Sequence, residues 1–184
     1  MRSYELKKRA ETVAATRERI VEATMELHEE VGPARTTVAA IAARAGVSRP
    51  TVYNQFPDDR SLFSACSAHF RGLHPAPELL GLGLEDAFLA QYRFYAVNEQ
   101  ILTHIWRDAE ALPPLGAVFE PVTEGLRTAA VELVRPLGRR GARSSRATAV
   151  ASLALELPTW KSLRRSGLDD DAAAALMAAL VRAT

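Results

Sequence analysis

Thiol chemistry is nearly absent from this chain. Of 184 residues one is cysteine, Cys66, so no internal disulfide can form, and the composition suits a reducing cytoplasm. Long apolar runs are missing too: no stretch approaches the ~20 residues that a membrane-spanning helix needs. The polar, charged segment Met1 to Arg19 contains no apolar region of the kind a secretory signal carries. The expected location is therefore the cytoplasm, with no membrane partner. Also missing are a glycine-rich phosphate loop, a His-Glu zinc signature and a Gly-x-Ser-x-Gly elbow. The chain is expected not to be an enzyme and to carry no cofactor or metal. There is no β alternation, internal repeat or low-complexity tract.

An excess of charge of either sign is lacking as well, with a formal net charge of +1. Any electrostatic footprint must come from how the charges are distributed. Residues 1–60 hold 10 Lys/Arg against 9 Asp/Glu, and residues 61–130 hold 4 against 8. Residues 131–168 hold 8 against 2, and the tail from Asp169 holds 1 against 3. Within the first segment, Arg35 to Phe56 carries Arg35, Arg44 and Arg49 and no acid. An acid-free basic stretch in a near-neutral chain fits a limited phosphate-facing surface.

What is present is helical periodicity. Ile20, Ala23, Leu27 and Val31 recur at three- and four-residue spacing. Thr16 is placed to cap that helix, and Gly32-Pro33 to end it. A second helix starts from Thr37 as N-cap, with Val38, Ile41, Ala42 and Ala45 inward, and Gly46 stops it. Ser48 caps the next helix, in which Val52 and Phe56 form an apolar pair at i, i+4. Asp58 or Asp59 opens a fourth, with Leu62, Phe63, Cys66 and Phe70 inward. Further helices are expected at about 84–97, 98–111, 115–136, 144–166 and 169–183. The chain reads as all-α. Its domains are expected to be a helix-turn-helix domain at 1–62, with 1–15 a flexible arm, and a helical effector-binding and dimerisation domain at 63–184. The softest joint is Gly72 to Gly83.

The informative segment is Thr36 to Phe56, TTVAAIAARAGVSRPTVYNQF. A helix, a tight glycine turn and a second helix capped by serine make a helix-turn-helix. Val52 and Phe56 turn one face of the second helix to the core, which leaves Pro50, Thr51 and Asn54 outside, flanked by Arg49 and Tyr53. Arg49 can donate two hydrogen bonds to guanine, and Thr51 can meet a thymine methyl or a phosphate. Tyr53 can bond a phosphate oxygen. These side chains suit a DNA groove.

Residues 17 to 63 resemble the N-terminal domain of the TetR family of bacterial transcriptional regulators. The resemblance is carried by Arg17, Ile20, Gly32, Thr37-Val38, Ile41-Ala42, Ala45-Gly46-Val47-Ser48, Thr51, Tyr53, Phe56 and Leu62-Phe63. It implies a dimer that binds a palindromic double-stranded DNA operator, with recognition helices ~34–36 Å apart. A small-molecule effector would release it, and repression is the expected sign. It also implies that Arg49, Pro50 and Thr51 approach the bases, while Thr37, Tyr53 and Gln55 approach phosphates. The full set of DNA-facing residues is then Thr36, Thr37, Ser48, Arg49, Pro50, Thr51, Tyr53, Asn54, Gln55 and Arg60. Two departures stand out: Asp59 occupies a position where many members have a phosphate-gripping lysine, and His28 one where a core aromatic or aliphatic is usual.

Outside that segment the residues are less specific. Cys66 reads as a buried small hydrophobe. Lys7, Lys8 and Arg9 read as a frayed terminus able to meet phosphate. The resemblance makes Phe88, Tyr92, Tyr95, His104, Trp106, Phe119 and Trp160 candidates to line an effector pocket, although aromatics are core residues by default. Val150, Leu153 and Leu157 (with Trp160), and Leu176 and Leu180 (with Ala173 and Val181), form two apolar stripes expected at a homodimer seam. Two alternatives stay open: a metal-responsive regulator using His104 and Asp108, and a helical protein-interaction module that has lost DNA binding.

Overall fold

Ten α-helices and two 3-10 turns account for the regular structure of the computed structural model, which describes residues 2–138 and 140–184, and no strand occurs among them. Met1 of the expected arm and Arg139 lie outside the described residues. The helices are α1 (Arg2–Glu30), α2 (Val38–Ala45), α3 (Arg49–Gln55), α4 (Asp59–Leu73), α5 (Leu84–Val97), α6 (Glu99–Ala109), α7 (Pro113–Val134), α8 (Ala142–Ala154), α9 (Leu157–Arg165) and α10 (Asp170–Ala183). They group into two compact units, Met1–Pro75 with His104–Val118, and Ala76–Thr103 with Phe119–Thr184. None is long and apolar enough to cross a membrane among the described residues.

The first helix departs from expectation. Thr16 does not cap it: the helix runs from Arg2, and the Thr16 hydroxyl donates back to the Thr12 carbonyl at 2.9 Å, as Thr12 does to Lys8. A threonine that can bond its own i−4 carbonyl sits inside a helix without terminating it. With no glycine or proline from Arg2 to Glu30, nothing local stops the helix from extending through residues 2–15. Those residues are helical here, where a flexible arm was expected.

The core of the N-terminal unit is built by Ile20, Val21, Ala23 and Leu27 of α1, Ile41, Ala42 and Ala45 of α2, Val52 and Phe56, and Leu62 and Cys66 of α4. His28 is buried with them, its ring 5.8 Å from that of Phe63. This unit reaches past residue 62, because α4 packs along α1, His104 bonds the end of α1 and Asp108 bonds the turn that follows it.

In the second unit α10 lies against α5 and α8 through Ala173, Ala174, Met177, Ala178 and Val181. Alanine faces bring helix axes close, so Ala147, Ala151 and Ala154 of α8 are fully buried there. The helix expected at 144–166 is two helices, broken at Leu155-Glu156. Pro158 explains the break: it sits in the first turn of α9, where its missing N–H costs little, and would interrupt a continuous helix. The carbonyls released at the break are satisfied from α5, with the Tyr92 hydroxyl donating to Ala154 O at 2.9 Å and Tyr95 to Leu155 O. Burial pushes both phenols above their ordinary range, which keeps them protonated as donors.

Candidate nucleic-acid interface

Three short signals build the helix-turn-helix. The Thr37 side chain accepts from Ala40 N at 3.2 Å and starts α2. Gly46 ends it in the left-handed region, φ 65°, and Val47 N closes the turn on Ala42 O at 2.9 Å. The Ser48 hydroxyl then accepts from Thr51 N and pairs with Thr51 Oγ1 at 2.8 Å, which starts α3. Val52 and Phe56 are buried and seat α3 on α1 and α2.

The opposite face of α3 is open. Arg49, Pro50, Tyr53 and Asn54 are exposed, Tyr53 at 56%, while Thr51 and Gln55 are half-buried. Among the described residues no carboxylate pairs with Arg49. Five turn and helix residues that the sequence singled out, Ser48 to Pro50 with Tyr53 and Asn54, thus share one solvent-facing run, with Thr51 half-buried beside it. Thr37 is exposed at the start of α2. Thr36 is half-buried, and its hydroxyl donates to Gly32 O at 2.9 Å. Arg60 is exposed in the first turn of α4, whose N-cap is Asp58, accepting from Ser61 N at 2.7 Å.

The basic stretch around Arg35, Arg44 and Arg49 is smaller than the sequence suggests. Arg44 is held by two glutamates of α1, at 3.0 Å from Glu26 and 2.8 Å from Glu30, the latter bidentate. Arg35 donates to the Val31 carbonyl at 2.8 Å. Arg49 is left as the uncommitted cation of that stretch.

One contact escaped the sequence reading, although its residue was among those that carry the resemblance. Arg17 of α1 donates to the Gln55 carbonyl, at the C-terminal end of α3, and its guanidinium lies 3.9 Å from the Phe56 ring centroid. A cation there meets both the orphan carbonyls of a helix end and the negative face of a ring. Its separation of 38 residues from Gln55 leaves no local pattern to find.

The remaining candidate residues do not form one cluster. Phe88, Tyr92, Tyr95 and Trp160 are buried in the second unit, where Trp160 stacks at a tilt on Tyr95 and donates to Asp170 Oδ1 at 2.9 Å. Phe119 belongs to the same unit and is half-buried; His104 and Trp106 belong to the N-terminal unit. His104 and Asp108 each already have protein partners. Asp108 is engaged by Arg107 and Ala34 N, and His104 by the His28 carbonyl. Among the described residues no three His, Cys, Asp or Glu side chains group as a metal site.

The expected dimer stripes are also redrawn. Leu153, Leu176 and Leu180 are exposed at 53%, 42% and 45%, and Val150 is half-buried. Leu157, however, is buried at the start of α9, and Ala173 and Val181 face inward. The Ala/Met side of α10 is inside the unit and the leucine side is outside.

A model of the bacterial regulatory proteins of the tetR family matches residues 20–66. An uncharacterized HTH-type transcriptional regulator of Mycobacterium tuberculosis is 48% identical over 52 residues, as is one from Mycobacterium bovis. Each match covers 28% of this chain and 28% of the relative, so the chain spans little more than a quarter of the curated relatives it matches. Among solved structures, a transcriptional regulator from Rhodococcus sp. Rha1 superposes with a TM-score of 0.60 at 17% identity, covering 90% of this chain and 93% of that one. A TetR transcriptional regulator from Rhodococcus sp. RHA1 gives 0.51 at 19% identity, over 95% and 98%. These likenesses extend the all-helical fold over nearly the whole chain.

Proposed function

We propose that this chain, whose residues 20–66 match the model of the tetR family of bacterial regulatory proteins, is a transcriptional regulator that binds duplex DNA through α3. The observation that carries the reading is the solvent-facing run Arg49, Pro50, Tyr53 and Asn54, held by Val52 and Phe56 beneath it. Arg49 has the donors to read guanine, and Tyr53 with Thr37 has hydroxyls for phosphates. Ser48, Thr51 and Gln55 frame the helix, and Arg60 supplies a cation beside Asp59.

The finer reading is a homodimeric repressor on a palindromic operator, released by a small-molecule effector. Dimerisation is supported by Leu176 and Leu180, exposed one turn apart on α10, since apolar side chains grouped on a surface mark association sites. Release by an effector is a family expectation. It requires a ligand with different affinity for the binding and non-binding states.

Selection of bound duplexes from a random DNA pool, with purified protein at moderate salt, tests the reading. Enrichment of a palindrome with half-sites about one helical turn apart is the expected result. Recovery of no sequence, with binding lost at modest salt, would favour the protein-interaction module.

A further inference from the structure

The link from α1 to α2 is the 3-10 turn Pro33–Arg35, and its backbone sets where the helix-turn-helix begins. A helical turn opens on N–H groups that have no carbonyl of their own. Gly32 precedes this turn and has no side chain to cap it. The acceptor comes instead from α6, 74 residues away: Asp108 Oδ2 takes the Ala34 N–H at 2.9 Å.

Asp108 is 4% exposed, so its charge needs partners. Arg107 Nε donates to Oδ1 at 2.7 Å and Nη2 to Oδ2 at 3.0 Å. One turn earlier, His104 Nδ1 donates to the His28 carbonyl at 3.0 Å. The same short stretch of α6 therefore meets both a carbonyl at the end of α1 and the orphan N–H of the next turn. Burial alone would raise the Asp108 carboxyl, but the bonds from Arg107 and Ala34 outweigh it and hold it below the usual carboxylate range.

Gly32 is shaped to this arrangement. Its φ of +90° is unfavourable for a side chain. A Cβ there would also collide with Arg107 Nη2 and stand 2.8 Å from Asp108 Oδ2. Beyond the turn, Thr36 N bonds Pro33 O at 3.1 Å and Thr36 Oγ1 bonds Gly32 O. The capped turn thereby runs directly into Thr37, the N-cap of α2.

We propose that Asp108 is a positioning residue for the helix-turn-helix, acting as a distant N-cap that holds the Gly32–Thr37 segment in the geometry used to bind DNA. The inference rests on the reading of α3 as a DNA-contacting helix. It adds a determinant of affinity outside the DNA-facing residues, on a helix that carries none of them.

The test uses the full chain with Asp108→Ala and Asp108→Asn, the operator recovered by random-pool selection, and amide exchange at Ala34 measured without DNA. Asp108→Ala is expected to speed Ala34 exchange at least tenfold and to weaken operator binding roughly 5–10-fold, the size of a lost cap. The selected base sequence should stay the same, because α3 still carries Arg49. Asp108→Asn keeps an oxygen for the Ala34 N–H and should restore most of both effects. If Asp108→Ala does not fold, Arg107→Gln takes its place, with a smaller expected loss of about two- to threefold. A folded variant with unprotected Ala34 and wild-type affinity would overturn the proposal while leaving DNA binding intact. So would an Asn variant no better than Ala. A wild-type protein that selects no sequence, with Ala34 protected, would overturn the DNA-binding reading and this role with it.

Discussion

The Arg17 guanidinium of α1 lies over the ring of Phe56 at 3.9 Å, while the same group donates to the Gln55 carbonyl where α3 ends. The first helix thus grips the outgoing end of α3, and Ser48 fixes its incoming end. The angle of α3 is set from both ends.

Removing that grip should have a measurable effect. Arg17→Ala is expected to lower unfolding stability by ~0.5–1 kcal/mol, the worth of an exposed cation–ring contact. It should also weaken DNA binding without changing the preferred sequence. Urea unfolding and duplex titration check the two parts separately.

Arg49 and Tyr53 should separate by kind of loss. Arg49→Ala is expected to relax preference at one base pair per half-site by ~1–3 kcal/mol. Tyr53→Phe, which removes a hydroxyl from a 56% exposed ring, should weaken specific and random duplexes alike. Titration against the operator and its single-base variants measures both, and equal losses for Arg49→Ala on operator and random DNA would reject base reading.

The redrawn stripes give opposite expectations for leucines of α10 and α9 that the sequence assigned to one seam. Leu176→Asp or Leu180→Asp, on the exposed face, should shift sedimentation toward monomer and leave helix content intact. Leu157→Ala, fully inside the second unit, should instead lower stability by about 2–5 kcal/mol. A dimer unaffected by both aspartates would move the seam elsewhere.

His28 makes stability pH-dependent. Burial lowers its imidazole from 6.5 to about 4, against the opposing pull of Asp108. Between those values the unfolded chain binds a proton that the folded chain refuses, so stability is full above about pH 6.5 and falls as pH drops toward 4. By pH 5 the loss should reach about 2 kcal/mol. Urea unfolding at pH 7 and pH 5 measures it, and His28→Leu should flatten that part of the slope.

The helix-turn-helix was legible because its determinants are local. Thr37, Gly46 and Ser48 each act on backbone within five residues of themselves, so their order in the chain is already their geometry. Long-range partners were not. Nothing near Arg44 in sequence announces Glu26 and Glu30, and nothing near Asp108 announces Ala34. The helix break after Ala154 was missed because proline in a first turn supports the helix that follows it, and only the preceding helix feels its interruption. For α10 the periodicity was real but ambiguous. Leu176 and Leu180 were expected at one seam with Ala173 and Val181, yet close packing against α5 and α8 takes Ala173 and Val181 inward and leaves the leucines outside.

Cys66 turns the N-terminal unit into its own gauge. As the single cysteine, buried on α4 in the core of the N-terminal unit with its thiol pushed up to about 12, it is closed to alkylating reagents until the packing around it parts. The rate at which an iodoacetamide probe marks this protein is therefore a clock for transient opening of the helix-turn-helix. Any duplex that engages α3 should slow that clock in proportion to how tightly it holds.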